Sequence, residues 1–128
     1  MKLLPLWETL SRSAHQQMVL RLENHLKQKY QSLSLMLTYY DEKKYHVPTI
    51  SIDSIIIKSP KEGIGTKVMG DICGFADTHG YTLILNPSGA LGGNRERLID
   101  FYKRFGFDFY SGNNIPNFSH IMVRTKQA

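Results

Sequence analysis

The sequence predicts a mixed α/β (α+β) domain with a central mixed sheet, one parallel pair of strands and flanking helices. Segments with helical and strand-like periodicity alternate in the order helix, strand, strand, helix, strand, helix, strand, strand. A short polar turn joins the first two strand-like segments, which is typical of a hairpin. The second helix lies between two strands, so it predicts a right-handed crossover between parallel neighbours.

The first helix is predicted from about Trp7 to Tyr30, where apolar and aromatic residues recur at helical spacing. The segment from Leu33 to Tyr40 then alternates between apolar and polar residues, which predicts a strand. A polar turn follows, and a second strand is predicted from Ile50 to Ile57. We expect its last three isoleucines to be buried on both faces.

The helix after Gly65 carries apolar residues along one side, and Gly80 is expected to end it in a left-handed conformation. The remaining elements are predicted as a strand at Tyr81–Asn86, a helix at Asn94–Phe105, a short strand at Phe107–Tyr110 and a last strand at Ser119–Arg124.

The length of 128 residues, with 41% hydrophobic and 21% charged residues, is typical of one folded domain, here residues 1–128. The apolar run from Met1 to Leu6 is too short for an export signal, and no stretch is long enough to span a membrane. Cys73 is the only cysteine, which excludes an internal disulfide and indicates a small core residue. We therefore expect a cytoplasmic protein without a membrane partner.

The net charge of +5 fits either a solvated basic surface or an anionic partner, such as a nucleotide cofactor, a nucleic acid or an acidic protein. Basic residues lie in scattered pairs rather than in one block, so nucleic acid is the least favoured partner. Tyrosines near Lys43 and Lys44 could stack on bases, but aromatic pairing across a hairpin explains them more simply.

The most informative local feature is the stretch from Lys61 to Lys67, which follows an apolar strand and opens a helix. The first turn of a helix has unpaired backbone N–H groups and a positive dipole end, and both attract phosphate. Glycines at 63 and 65 would let a phosphate approach the backbone closely. Taken alone, the spacing fits an ordinary strand-to-helix turn better than a ligand site.

Together with a second motif, this turn resembles the GNAT family of N-acetyltransferases. The second motif, Phe101 to Phe107, is similar to the family's signature of Tyr, three residues, Gly and Phe. The element order from Ile50 to Phe107 also matches. The second half of the chain is further similar to short GNAT-like proteins of bacteriophages and mobile elements. The resemblance implies a mostly antiparallel sheet whose parallel pair splays apart to admit the pantetheine of acetyl-CoA.

The resemblance implies an acetyl-CoA-dependent N-acyltransferase that acts on a primary amine of a small molecule or a protein. Acetyl-CoA would be a co-substrate, with its pyrophosphate on the backbone amides of the glycine turn. The implied cofactor-binding residues are Ile57, Lys61, Glu62, Gly63, Ile64, Gly65, Thr66, Lys67 and Arg104.

Tyr102 occupies the signature tyrosine position, which implies a general acid for the departing CoA thiolate. The alternative is a buried aromatic residue whose hydroxyl bonds to the backbone. Asp53 interrupts a run of isoleucines in a strand, and burial there would raise its pKa and suit a catalytic base. A solvent-facing position, or a bond to a neighbouring segment, explains Asp53 equally simply.

By the resemblance, the loop after the pantetheine-binding strand would line the part of the cleft that binds the acceptor amine. The residues at that place are Ser88, Asn94 and Arg97. The alternatives are that Ser88 and Asn94 form turns and that Arg97 is an exposed helix residue. The five histidines do not stand at metal-ligand spacing from cysteine or carboxylates, so no metal site is predicted.

Two differences from the family favour a second function. Pro60 stands where the family usually has Gln or Arg, and the segment before the glycines is about three residues short. The family has a strand and paired helices at its start, whereas here only one helix precedes Leu33. The side of the site that would bind the acceptor amine is therefore reduced. The alternative is a catalytically weak or inactive GNAT-fold binding protein, for example a viral one, that engages a protein partner such as a host or virion macromolecule.

Overall fold

A computed structural model describes residues 12–41, 47–58, 63–87, 95–109 and 121–126. In these ranges the helices are α1 (Arg12–Lys29), α2 (Ile64–His79) and α3 (Arg95–Lys103), and the strands are β1 (Leu33–Tyr40), β2 (Thr49–Ile57), β3 (Thr82–Leu85), β4 (Asp108–Phe109) and β5 (Met122–Arg124). The strands form one sheet in the order β1-β2-β3-β5-β4. All neighbours are antiparallel except β2 and β3. The predicted fold class and element order are confirmed.

Helix α1 covers one face of β1 because both elements have apolar residues at matching periods. The buried residues of α1 recur every three or four positions and are His15, Val19, Leu22 and Leu26. On β1 the buried residues alternate, as Leu33, Leu35 and Tyr39 do. The ring of His15 stacks on Tyr39 and contacts Tyr81, which ties α1 to the segment that enters β3. The start of this helix predicted at Trp7 lies outside the described residues.

The β1–β2 hairpin contains a β-bulge at Asp53. Met36 pairs with Ser54 and Leu37 pairs with Ile52, which leaves Asp53 as the extra residue on β2. Beyond the bulge, Ile55 is buried but Ile56 is 42% exposed. The expectation that all three isoleucines are buried on both faces is wrong, because alternation between the two faces of the strand continues to its end.

The parallel pairing of β2 with β3 is short. It joins Thr49–Ile52 to Thr82–Leu85 and stops there. In the described part of the chain, β2 beyond the bulge, from Ser54 to Ile57, pairs with β1 alone. On its other side, this part of β2 is not paired with β3, and we call the space there the wedge. It begins at the bulge.

Helix α2 crosses between β2 and β3, and two kinds of contact hold its C-terminal end. Gly80 ends it with φ 81° and donates its N–H to the Ala76 carbonyl at 2.8 Å, so the predicted glycine cap is confirmed. Arg124 of β5 is 5% exposed and binds both carboxylate oxygens of Asp77 at 2.8 and 2.9 Å. The Arg124 Nε also donates to the Phe105 carbonyl at 2.6 Å, which connects α2, β5 and the end of α3.

The interior of α2 contains the single cysteine. Cys73 is buried and free, as predicted, and desolvation raises the pKa of its thiol to about 11. None of the helices in the described part of the chain combines the length and apolar character needed to cross a membrane.

At the edge of the sheet, one outward-facing donor of β1 is already occupied. The N–H of Leu37 donates to a carboxylate oxygen of Glu23 at 2.8 Å. Glu23 lies on α1, so the helix that covers one face of β1 also reaches its outer edge.

Candidate functional site

The first turn of α2 presents backbone donors that the helix itself leaves unpaired. Gly63 precedes the helix in the left-handed conformation, with φ 67°, and its carbonyl accepts the first helical hydrogen bond from the Lys67 N–H at 3.2 Å. The N–H groups of Ile64, Gly65 and Thr66 therefore have no acceptor within the helix. With the positive end of the helix dipole, they can bind an anion.

A pocket of about 290 Å³ adjoins this turn. Its walls come from the end of β2, the start of α2 and one side of α3, and its lining residues are Ile55, Ile57, Gly63, Gly65, Thr66, Leu98 and Phe101. This size lies near the lower limit for small-molecule sites, about 300 Å³. Apolar walls beside a row of N–H groups suit a ligand with an apolar chain and an anionic group.

Gly65 keeps the space between two pocket walls open. A Cβ added at this position would lie 3.5 Å from Cδ1 of Ile57 and 3.7 Å from Cζ of Phe101. Those distances are ordinary contacts, so a methyl group would fit, but it would occupy part of the pocket.

Basic residues directly follow two of the pocket-lining residues, Ile57 and Thr66. Lys58 and Lys67 are exposed, directly after the end of β2 and in the first turn of α2. The guanidinium of Arg104 lies 5.6 Å from the ring centroid of Phe101, which places a cation against a pocket wall. Lys61 and Glu62, the other predicted cofactor-binding residues of the turn, lie outside the described residues.

Tyr102 is a buried aromatic residue next to the pocket-lining Phe101. It is 4% exposed and packs edge-to-face against Phe101 and Phe107 at centroid distances of 5.4 and 5.8 Å. Desolvation raises the pKa of its phenol to about 12, so the hydroxyl is protonated at neutral pH. The pocket is lined by Phe101 rather than by Tyr102. The packing expected under the alternative interpretation is present, and the role of general acid stays a prediction.

Asp53 is exposed, so the expectation that it is buried is wrong. Its carboxylate accepts hydrogen bonds from the hydroxyls of Thr38 and Ser51, the latter at 2.7 Å. The physical reason is that all three side chains lie on the polar face of the hairpin rather than on the face that α1 covers. Because the carboxylate is exposed, the burial on which its role as a catalytic base depended is absent. The bond to a neighbouring strand is the alternative that the sequence left open.

Of the three predicted acceptor residues, the structure describes Arg97. Arg97 is exposed on α3 and does not line the pocket, while Ser88 and Asn94 lie outside the described residues. Within the described ranges, no three His, Cys, Asp or Glu side chains form a group that could hold a metal ion.

Three pocket residues were not predicted as site residues, namely Ile55, Leu98 and Phe101. Their apolar character identified them only as core. Phe101 directly precedes the signature tyrosine, and Leu98 lies one turn earlier on the same helix. That spacing was the available signal that this side of α3 faces a ligand.

Comparison of the chain with models of known protein families finds no match. A search of curated proteins also finds no significant match.

Proposed function

We propose that the protein binds acetyl-CoA and transfers its acetyl group to a primary amine. The observation that carries this proposal is the pocket at the start of α2, which joins unpaired N–H groups to apolar walls beside the wedge. A strand-to-helix turn without a ligand needs neither the pocket nor the early end of strand pairing.

The chemical groups of acetyl-CoA match the parts of this site. The pyrophosphate fits the N–H groups of Ile64 to Thr66, with Lys67 nearby as a counter-charge. The pantetheine arm fits between the pocket walls formed by Ile57 and Phe101. The wedge gives the thioester a place beside β2, where backbone groups are not taken up by β3.

The transfer requires few protein groups. The neutral amine nitrogen attacks the thioester carbonyl carbon, the carbon–sulfur bond breaks and the sulfur leaves with the electron pair. The nitrogen then gives its proton to water, and the thiolate takes up a proton. Tyr102 can supply that proton only if its hydroxyl reaches the sulfur, and Tyr102 is not among the residues that line the pocket.

Calorimetric titration with acetyl-CoA tests binding, and release of free thiol from acetyl-CoA in the presence of an amine panel tests transfer. The panel includes polyamines, amino acids, aminoglycosides and peptides. We expect binding together with slow thiol release above the Tyr102→Phe control. Absence of acetyl-CoA binding by the folded protein would refute the proposal.

A second function is binding without transfer. It is favoured because neither candidate catalytic side chain lines the pocket: Tyr102 is buried and is not a lining residue, and Asp53 is exposed on the polar face of the hairpin. In this case acetyl-CoA would have only a structural role or would not bind, and no amine would be acetylated. A macromolecular partner would then be expected on exposed basic residues such as Lys103 and Arg104, and charge reversal there should weaken an acidic partner mainly by slowing association.

A further inference from the structure

The polar face of the β1–β2 hairpin carries one carboxylate in a fixed position. Asp53 is the bulge residue of β2, and the hydroxyls of Thr38 and Ser51 donate to its two oxygens, Oδ2 and Oδ1 respectively. An exposed aspartate normally samples several rotamers, but two hydroxyl donors on neighbouring strand positions hold this one. Each carboxylate oxygen keeps a further lone pair for a donor from outside the protein.

This carboxylate has no cationic partner in the described part of the chain. The ion pairs found there join Glu23 to Lys27, Asp71 to Lys29 and Asp77 to Arg124. A fixed carboxylate without a cationic partner among the described residues can attract a small cation.

The position of Asp53 connects it to the candidate site. It is the first residue of β2 beyond the last pair with β3, Ile52 with Leu85. Two residues later, Ile55 lines the pocket. Because β3 does not pair with this part of β2, a molecule held on the polar face and one held in the pocket can meet at the wedge.

We propose that Asp53 binds a protonated nitrogen of the acceptor, and that the acceptor is a diamine or polyamine. This inference rests on the proposed function. The nitrogen that attacks the thioester must be neutral, so it is not the one that the Asp53 carboxylate binds. The carboxylate would instead bind the second nitrogen of the acceptor, which stays protonated. Met36 and Ile56, 60% and 42% exposed, lie on the same face of the hairpin and offer apolar surface to the methylene groups between the two nitrogens.

The test is titration with 1,4-diaminobutane, followed by backbone amide chemical shifts, in the presence and absence of acetyl-CoA. Butylamine, which has one nitrogen, is the comparison ligand. The variant is Asp53→Asn, which keeps one oxygen to accept from one hairpin hydroxyl and has an NH2 group that can donate to the oxygen of the other. The matched control is Asp108→Asn. Asp108 is also an exposed strand carboxylate with a local hydrogen bond, to the Phe109 N–H at 2.8 Å, but it lies on β4 at the other edge of the sheet.

We expect the parent and Asp108→Asn to bind the diamine more tightly than butylamine, with shifts at Thr38, Ser51 and Asp53. Asp53→Asn should bind the diamine roughly tenfold more weakly, and the difference should shrink as salt is added. Equal affinity of Asp53→Asn and the parent would overturn the inference, as would a parent that does not bind the diamine. Acetyl-CoA titration of the same proteins decides the proposed function separately, because it does not require an amine.

Discussion

The substitution Gly63→Asp places a negative charge where the pyrophosphate is proposed to bind. Gly63 has φ 67°, and no atom outside its neighbours lies within 4 Å of a Cβ built there, so the new side chain meets open space. The left-handed conformation costs aspartate and asparagine less than other residues. Gly63→Asn is therefore a matched control, because it has the same shape and conformational preference without the charge.

The expected loss of affinity follows from the distance between the charges. A carboxylate at residue 63 would lie about 4 Å from a phosphate held on the next three N–H groups. Two like charges at that distance repel by about 1 kcal/mol in water and about 4 kcal/mol near a protein surface. An intermediate value of about 2.7 kcal/mol corresponds to a loss of about 100-fold in affinity. Because exposed charges are screened, the loss should be smaller at high salt.

Calorimetric titration of the two variants with acetyl-CoA, at low and at high salt, gives the comparison. Matching melting temperatures establish that both variants are folded to the same extent. The proposed pyrophosphate site is refuted if Gly63→Asp binds acetyl-CoA as tightly as Gly63→Asn at low salt. A loss of equal size in both variants would also count against it, since the charge would then not be the cause.

The remaining predictions concern catalysis, alkaline stability and packing. Tyr102→Phe should lower turnover by roughly 10- to 1,000-fold with little change in acetyl-CoA affinity if the phenol is the general acid, and equal thiol release by both proteins would leave it a packing residue. Burial raises the pKa of Cys73 from 9.0 in the unfolded chain to about 11 in the folded protein. Below pH 9 the thiol is protonated in both the folded and the unfolded protein, and the stability it contributes is lost as pH rises toward 11. In chemical denaturation at several pH values, Cys73→Ala should therefore show a shallower fall between pH 9 and 11. Asp77→Asn leaves the buried Arg124 without its carboxylate and should cost about 3 kcal/mol in the free energy of unfolding by urea, whereas a cost below about 1 kcal/mol would contradict the account of that pair.

Most of the fold could be predicted because periodicity and turn residues agree along the chain. The alternation from Leu33 to Tyr40 and the helical spacing from His15 to Leu26 each match one element. Strand ends were predicted less well. The strand expected from Ser119 is assigned only from Met122 in the described part, and the triple isoleucine was taken for a doubly buried end although Ile56 is exposed. Apolar character alone does not tell which faces of a strand are covered.

The candidate site was predicted only in part, because its geometry depends on register. The glycine turn was visible from glycine spacing, and the apolar residues of α3 from their periodicity. The bulge was not visible, since it arises from how Met36 and Leu37 pair with β2 rather than from any local pattern. Because of that bulge, the Asp53 carboxylate faces Thr38 and Ser51 and is exposed, whereas the role of a catalytic base required burial. An exposed carboxylate is instead suited to bind a cation.

The contact between Glu23 and the Leu37 N–H affects how this protein behaves at high concentration. β1 ends the sheet on one side, and a bare edge strand invites pairing with another chain, the first step toward aggregation. A strand that approached β1 would have to displace a charged group from its hydrogen bond and leave that carboxylate poorly solvated. One acidic residue on α1 therefore both anchors a helix and discourages fibre-like stacking of the hairpin.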